Sequence, residues 1–188
     1  FPGFYFQTRS VRNYPYHIAA HTLGNIGEVG KRDLEKDSYY KVGDYIGKSG
    51  IESFYEKELR GEKGMKIIVV DVHNREKERF MNGEFDTLLV AGKDIYLGID
   101  AELQAYGEAL MKNRTGSIVA IEPSTGQILA MVTSPSYDPN ELVGRVRGAN
   151  YSKLLNDSLK PLVNRATSGI YPPGSTFKMV NGLIVLES

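Results

Sequence analysis

The chain has 188 residues, 41% of them apolar and 24% charged, with 23 Lys plus Arg against 23 Asp plus Glu. That composition fits a folded protein of one large or two small domains; it excludes a disordered chain and gives no reason to expect a nucleic-acid or anionic-membrane surface. Cysteine is absent, which excludes disulfides and thiolate metal sites.

No apolar run reaches the length of a membrane span, and Phe1-Pro2-Gly3-Phe4 lacks the basic and apolar regions of a signal peptide. From residue 1 to about 65, aromatic, glycine and charged residues mix without a sustained period, which predicts irregular structure with short helices. One such helix is expected over 52–60, stopped by Gly61. The β-branched run over 66–72 predicts a strand, and the polar stretch 74–84 a turn or exposed ribbon. Residues 94–100, with Ile95, Leu97 and Ile99 on one face, predict a further strand. Asp100 is a candidate N-cap for a helix over 101–112. Its apolar residues Leu103, Tyr106, Leu110 and Met111 recur at helical spacing and are expected to face a core. Residues 117–122 and 127–133 read as strands joined by Pro123-Ser124-Thr125-Gly126, where Gly126 can take the positive φ of a hairpin loop. Pro135 and Pro139 then lead the chain out of the sheet. The natural boundary falls near Asp100, dividing the chain into 1–99 and 100–188.

The most specific stretch comes last: Tyr171-Pro172-Pro173-Gly174-Ser175-Thr176-Phe177-Lys178, a Ser-x-x-Lys where a stiffened loop enters the apolar run 179–186. Residues three apart share a helix face, so the Lys178 ammonium can reach the Ser175 hydroxyl. A serine hydroxyl needs a positioned base to attack a carbonyl. A lysine can serve when its charged form is desolvated, and Phe177 and Met179 are candidates to do that. Helix-start N–H groups would add stabilisation of an oxyanion. Ser175 is thus the candidate nucleophile and Lys178 the candidate general base. Taken alone, Ser-x-x-Lys also suits a helix with an exposed lysine.

The flanking motifs decide between these readings. Tyr-Pro-Pro-Gly-Ser-Thr-Phe-Lys resembles the nucleophile motif of the penicillin-binding proteins, serine D,D-transpeptidases of bacterial cell walls. Pro161-Leu162-Val163-Asn164-Arg165-Ala166 and the hairpin from Gly116 to Val132 stand upstream in the family's order. Arg12-Asn13-Tyr14-Pro15, Ala19-Ala20-His21-Thr22-Leu23-Gly24 and Gly47-Lys48-Ser49-Gly50-Ile51-Glu52 are similar to the non-catalytic pedestal of class B members. Val42 to Gly50 and Phe85-Asp86-Thr87-Leu88 look more like the elongation branch, penicillin-binding protein 2, than the division branch.

The resemblance implies an α+β fold: a pedestal, dimerisation-like domain over 1–99, then the first helix, β-hairpin and nucleophile helix of a transpeptidase domain over 100–188. It implies that Ser175 attacks the penultimate D-alanyl carbonyl of a peptidoglycan stem peptide and that a β-lactam acylates the same serine. Implied partners are a SEDS-type glycosyltransferase and an MreC-like scaffold, with a membrane anchor outside this chain and this portion in the periplasm. Both ends read as truncations, since the chain starts inside the pedestal and stops ten residues after Lys178.

The family's Ser-x-Asn element does not occur in the sequence, and its Lys-Thr-Gly or Lys-Ser-Gly element occurs only as Lys48-Ser49-Gly50, far upstream and read as a pedestal loop. The chain by itself is therefore expected to lack a competent active site. Two rival readings are a class D-like β-lactamase or sensor, opposed by the pedestal-like half, and a pure interaction module. Gly43 to Gly47 lacks phosphate-loop spacing, and Gly24, Gly27 and Gly30 fail the dinucleotide pattern. His17 and His21 stand four apart, but no cysteine or acidic cluster completes a metal site, so no metal or cofactor is assigned. Arg165 is expected to buttress a loop through backbone carbonyls. Tyr171 is left between lining the pocket and packing beneath the helix.

Overall fold

The computed structural model describes residues 11–187. The part of the irregular N-terminal stretch expected over residues 1–10 lies outside them. In order, the elements are α1 (Ala20–Leu23), β1 (Ile26–Glu28), α2 (Lys31–Lys36), β2 (Tyr45–Gly47), α3 (Gly50–Phe54), α4 (Glu56–Arg60), β3 (Ile68–Val70) and β4 (Glu76–Arg79). They continue with α5 (Ala101–Leu110), β5 (Gly116–Ile121), β6 (Ile128–Ser134), α6 (Arg147–Asn156), α7 (Arg165–Ser168) and α8 (Lys178–Glu187). Among the described residues the strands form three two-stranded antiparallel sheets, β1 with β2, β3 with β4, and β5 with β6. The fold is mixed α+β, with short elements and irregular connections before residue 100.

The N-terminal half departs from its sequence pattern at three places. The helix expected over 52–60 breaks at Tyr55 into α3 and α4. Restarting at Glu56 turns that carboxylate onto the Gly47 N–H at 2.7 Å and the Tyr40 hydroxyl at 2.8 Å. The strand expected over 66–72 contracts to β3, and the polar ribbon supplies its partner β4. Residues 94–100 form no strand. A strand needs a ladder, and among the described residues the one backbone bond from this stretch to a strand is that of the Asp100 N–H to Leu129 O at 2.8 Å.

Asp100 caps α5 as its position suggests, its side chain accepting from the N–H groups of Glu102 and Leu103, both at 2.9 Å. The helix then turns a different face inward from the one its apolar spacing predicts. Leu103, Tyr106 and Leu110 are exposed, whereas Gln104 and Gly107 are buried against β6. Gly107 permits this approach, since a Cβ there would lie 2.8 Å from Val132 Cγ2. Gln104 makes the approach favourable: its Oε1 accepts from Met131 N–H at 2.8 Å and its amide donates to Met131 O at 3.1 Å. A side-chain amide so occupies the β6 edge where a neighbouring strand would pair, and a fully buried polar group is satisfied.

The core lies where the two halves of the sequence meet. Val132 and Leu142 are fully buried, with Ala20 and Pro139 close to it. Burial of such a side chain is worth about 1.5–3 kcal/mol. Hydrogen bonds cross the same junction. Asn140 pairs with both backbone groups of Tyr14, at 3.0 and 2.8 Å. Glu108 accepts from Ala19 N–H at 2.7 Å and from Gln104 at 2.8 Å. The buried Glu52 accepts from Arg12 at 2.7 Å and from the Tyr14 hydroxyl at 3.0 Å. Burial, reinforced by the Glu52 charge, pushes the Tyr14 phenol above its ordinary range.

Candidate active site

Ser175 sits in a 3₁₀ turn, Gly174–Phe177, that runs directly into α8. The turn begins with Gly174 at φ 58°, a left-handed conformation that glycine adopts without steric cost. Thr176 Oγ1 donates to Pro173 O at 2.5 Å, tying the turn to the Pro-Pro lead. The Lys178 N–H bonds to the Ser175 and Thr176 carbonyls. In 3₁₀ geometry side chains at i and i+3 eclipse, so Lys178 follows Ser175 on one face at the head of the helix. The first turn is thus 3₁₀ where an α-helical turn is expected.

The desolvation expected from Phe177 and Met179 is not present. Phe177 is half exposed and Met179 more so, and every described residue of α8 faces solvent. Ser175 is equally accessible.

The segment leading to this turn is fixed to β6. Asn164 caps α7, accepting from the N–H groups of Ala166 and Thr167, and its Oδ1 also accepts from Thr133 Oγ1 at 3.1 Å. Arg165 donates to the carbonyls of Leu159, Lys160 and Val163, the buttressing role its position suggests. Tyr171 folds back on the end of α7, and a Cβ on Gly169 would meet its ring at 2.4 Å.

The other candidate residues lie elsewhere. In Lys48-Ser49-Gly50, Lys48 pairs with Asp33 at 2.6 Å and Ser49 accepts from Asn25, so the tripeptide bonds within the N-terminal half. His17 and His21 do not converge. His17 pairs with Asp138 at 2.6 Å, and His21 Nε2 donates to Pro161 O at 2.8 Å while meeting Tyr137 edge-on at 5.2 Å. Among the described residues no group of three His, Asp or Glu gathers as a metal site.

The family model described as the penicillin-binding protein dimerisation domain matches residues 1–97, and that of the penicillin-binding protein transpeptidase domain matches residues 116–188. The chain belongs to the penicillin-binding proteins. It is 41% identical over 185 residues to peptidoglycan D,D-transpeptidase MrdA of Escherichia coli K12, covering 95% of this chain and 29% of that protein. The MrdA of Acinetobacter baumannii is 38% identical over 187 residues, with 97% of this chain and 27% of the relative covered. Among solved structures, penicillin-binding protein 2 of Helicobacter pylori in complex with MreC superposes with a TM-score of 0.81 at 34% identity, over 95% of this chain and 33% of that one. Penicillin-binding protein 2 of Pseudomonas aeruginosa in complex with WCK 5153 gives 0.76 at 40% identity, over 94% and 35%. The chain thus spans under a third of the MrdA relatives' length. Among the described residues no helix is long and apolar enough to cross a membrane.

Three positioning groups of this penicillin-binding protein escape the sequence pattern. Gln104 and Asn140 are ordinary amides until the fold gives each a backbone N–H and C=O to pair with. Arg147 opens a helix, α6, that lies in a segment without clear periodicity. Its spacing of four from Tyr151 was the available signal, and the guanidinium lies 5.5 Å from that ring.

Proposed function

We propose that the parent protein is a peptidoglycan D,D-transpeptidase acting through a serine acyl-enzyme, with Ser175 as nucleophile and Lys178 as general base. The observation that supports this reading is the Gly174–Phe177 turn, which leaves Ser175 accessible at the head of α8, three residues before Lys178, inside the segment that matches a transpeptidase domain. Ser175 Oγ attacks the penultimate D-alanyl carbonyl while Lys178 takes its proton. The C–N bond to the terminal D-alanine then breaks, and that amine leaves with a proton returned from Lys178. An amine of a neighbouring stem peptide attacks the ester, forms the cross-link and releases Ser175 with its proton restored. A β-lactam enters at the first step, its ring amide opening onto Ser175. The MrdA names support the activity.

In this reading residues 1–99 form the pedestal and 100–188 open the transpeptidase domain, although hydrogen bonds knit the halves across that boundary. The Ser-x-Asn and Lys-Thr-Gly elements come from parts of the parent outside this sequence, and those parts cover α8 and the β5–β6 hairpin. A scaffold like MreC is a partner, in line with the H. pylori complex, and a SEDS-type glycosyltransferase is a second. The protein is held at the bacterial inner membrane with this portion on the periplasmic side.

The test is labelling of the full-length parent with fluorescent penicillin. Ser175→Ala is expected to abolish labelling, and Lys178→Ala to reduce it by about two orders of magnitude or more while the fold is retained. Undiminished labelling of Ser175→Ala overturns the assignment.

A further inference from the structure

Away from Ser175, a cleft of about 810 Å³ opens between α1, α3 and the loop before it on one side and β6, α6 and the start of α7 on the other. Its lining includes Lys48 and Arg147 and no carboxylate. The two cations pass each other at Gly27, where a Cβ would come within 3.0 Å of the Arg147 guanidinium carbon and 3.2 Å of Lys48 Cγ. Glycine at this position is what gives both side chains room. Lys48 Nζ pairs with Asp33 at 2.6 Å. Arg147 donates to Ile26 O at 2.8 Å and Asn25 Oδ1 at 3.2 Å, both neutral acceptors. A half-buried guanidinium, held by neutral groups beside a second cation and without a carboxylate in its cleft, is arranged to receive an anion.

The remaining walls show what accompanies that anion. Tyr55 and Tyr151 present partly exposed rings, and Phe54 meets Tyr55 edge-on at 4.8 Å. Thr22 on the same wall carries a buried hydroxyl with no hydrogen-bond partner among the described residues, a group that a bound ligand or its water would satisfy. Size, ring faces and positive charge together suit a small saccharide or peptide bearing carboxylates.

We propose that this cleft is a second binding site for peptidoglycan: a saccharide carrying an acidic peptide, with a carboxylate at Arg147 and Lys48 and a sugar ring against Tyr55 or Tyr151. The inference rests on the reading that the parent works on peptidoglycan, and it adds a place where polymer is held apart from the reacting serine.

The experiment takes the full-length parent with Ser175 acylated by penicillin, so that the reacting site is blocked, and titrates a soluble disaccharide-tetrapeptide by calorimetry. Saturable binding is expected, weakened about tenfold by Lys48→Gln, which removes one of the two cations of the cleft, and by Gly27→Ala, which crowds both. Chitobiose, which offers rings without carboxylates, is expected to bind about tenfold more weakly than the disaccharide-tetrapeptide. Binding that vanishes on acylation belongs to the reacting site and overturns the cleft while leaving the proposed function standing. Binding indifferent to Lys48→Gln and to loss of the carboxylates overturns it as well. If penicillin fails to acylate the protein, the proposed function is what fails, and the same comparisons on unmodified protein still decide the cleft.

Discussion

Residues 130–142 and 177–187 both carry several apolar side chains, and the structure treats them in opposite ways. In the first, Ala130, Val132, Pro139 and Leu142 are essentially inaccessible, and Gln104 and Asn140 pair with backbone groups around them. In the second, Phe177, Met179, Leu183, Ile184 and Leu186 are all exposed on a helix that carries the candidate nucleophile at its head. Burial therefore concentrates at the junction and the proposed chemistry at the exposed segment, and substitutions in the two regions should separate those properties.

The largest stability effect is expected at Leu142. Leu142→Ala removes a fully buried side chain and should cost about 2–5 kcal/mol, read as a lower denaturation midpoint. Ser175→Ala should stay within about 0.5 kcal/mol of the parent chain, because its surroundings are solvent. A Leu142→Ala chain that melts with the parent would dissolve the contrast.

Glu52 should come next. It is buried beside Arg12 and the Tyr14 hydroxyl, so Glu52→Ala leaves both without their acceptor and should cost roughly 1–3 kcal/mol by urea denaturation. Arg12→Gln should cost less, since that side chain is 40% exposed against 8% for Glu52. Equal effects would mean that the ion pair, rather than burial of the acceptor, carries the contribution.

How much of this was legible in the residues follows the same division. The β5–β6 hairpin and the Asp100 cap are local, set by patterns a few residues long, and they stand in the structure as expected. The face of α5 was not legible. Apolar spacing pointed to Leu103, Tyr106 and Leu110, but close approach to Val132 is decided by Gly107 and by the bidentate fit of Gln104 to Met131, partners distant in sequence. Residues 94–100 alternate as a strand would, yet a strand exists only with a neighbour to pair with. The desolvation of Lys178 depends likewise on surfaces outside its own helix, which adjacent residues cannot provide.

The exposed segment should also govern association. Its apolar residues lie close together on α8, and such patches favour contact with other apolar surface. The chain is expected to gain mass with concentration in sedimentation experiments, and Leu183→Ser with Leu186→Ser to shift it toward monomer without changing the melting midpoint. A strictly monomeric chain at high concentration would show that α8 finds cover within the chain in solution.

The smallest effect concerns pH and belongs to the junction. Burial lowers the His21 pKa below its ordinary value, opposed by the bond to Pro161 O and aided by the Arg165 charge. Its surroundings include the Tyr137 ring and the Pro161 carbonyl, and neither supplies a counter-charge. With the folded pKa below the unfolded one, both states hold neutral imidazole above about pH 6.5, and the full contribution is present there. As pH falls below that value the unfolded chain takes up a proton before the folded chain does, so stability declines until the folded pKa is passed. Denaturation midpoints should therefore fall from pH 7.5 to pH 5, and His21→Gln, which can still donate to Pro161 O, should flatten part of that slope. His17 stands beside the Asp138 carboxylate, so His17→Gln serves as the control for an exposed, paired imidazole. A slope unchanged in His21→Gln would assign the acid sensitivity to the junction carboxylates instead.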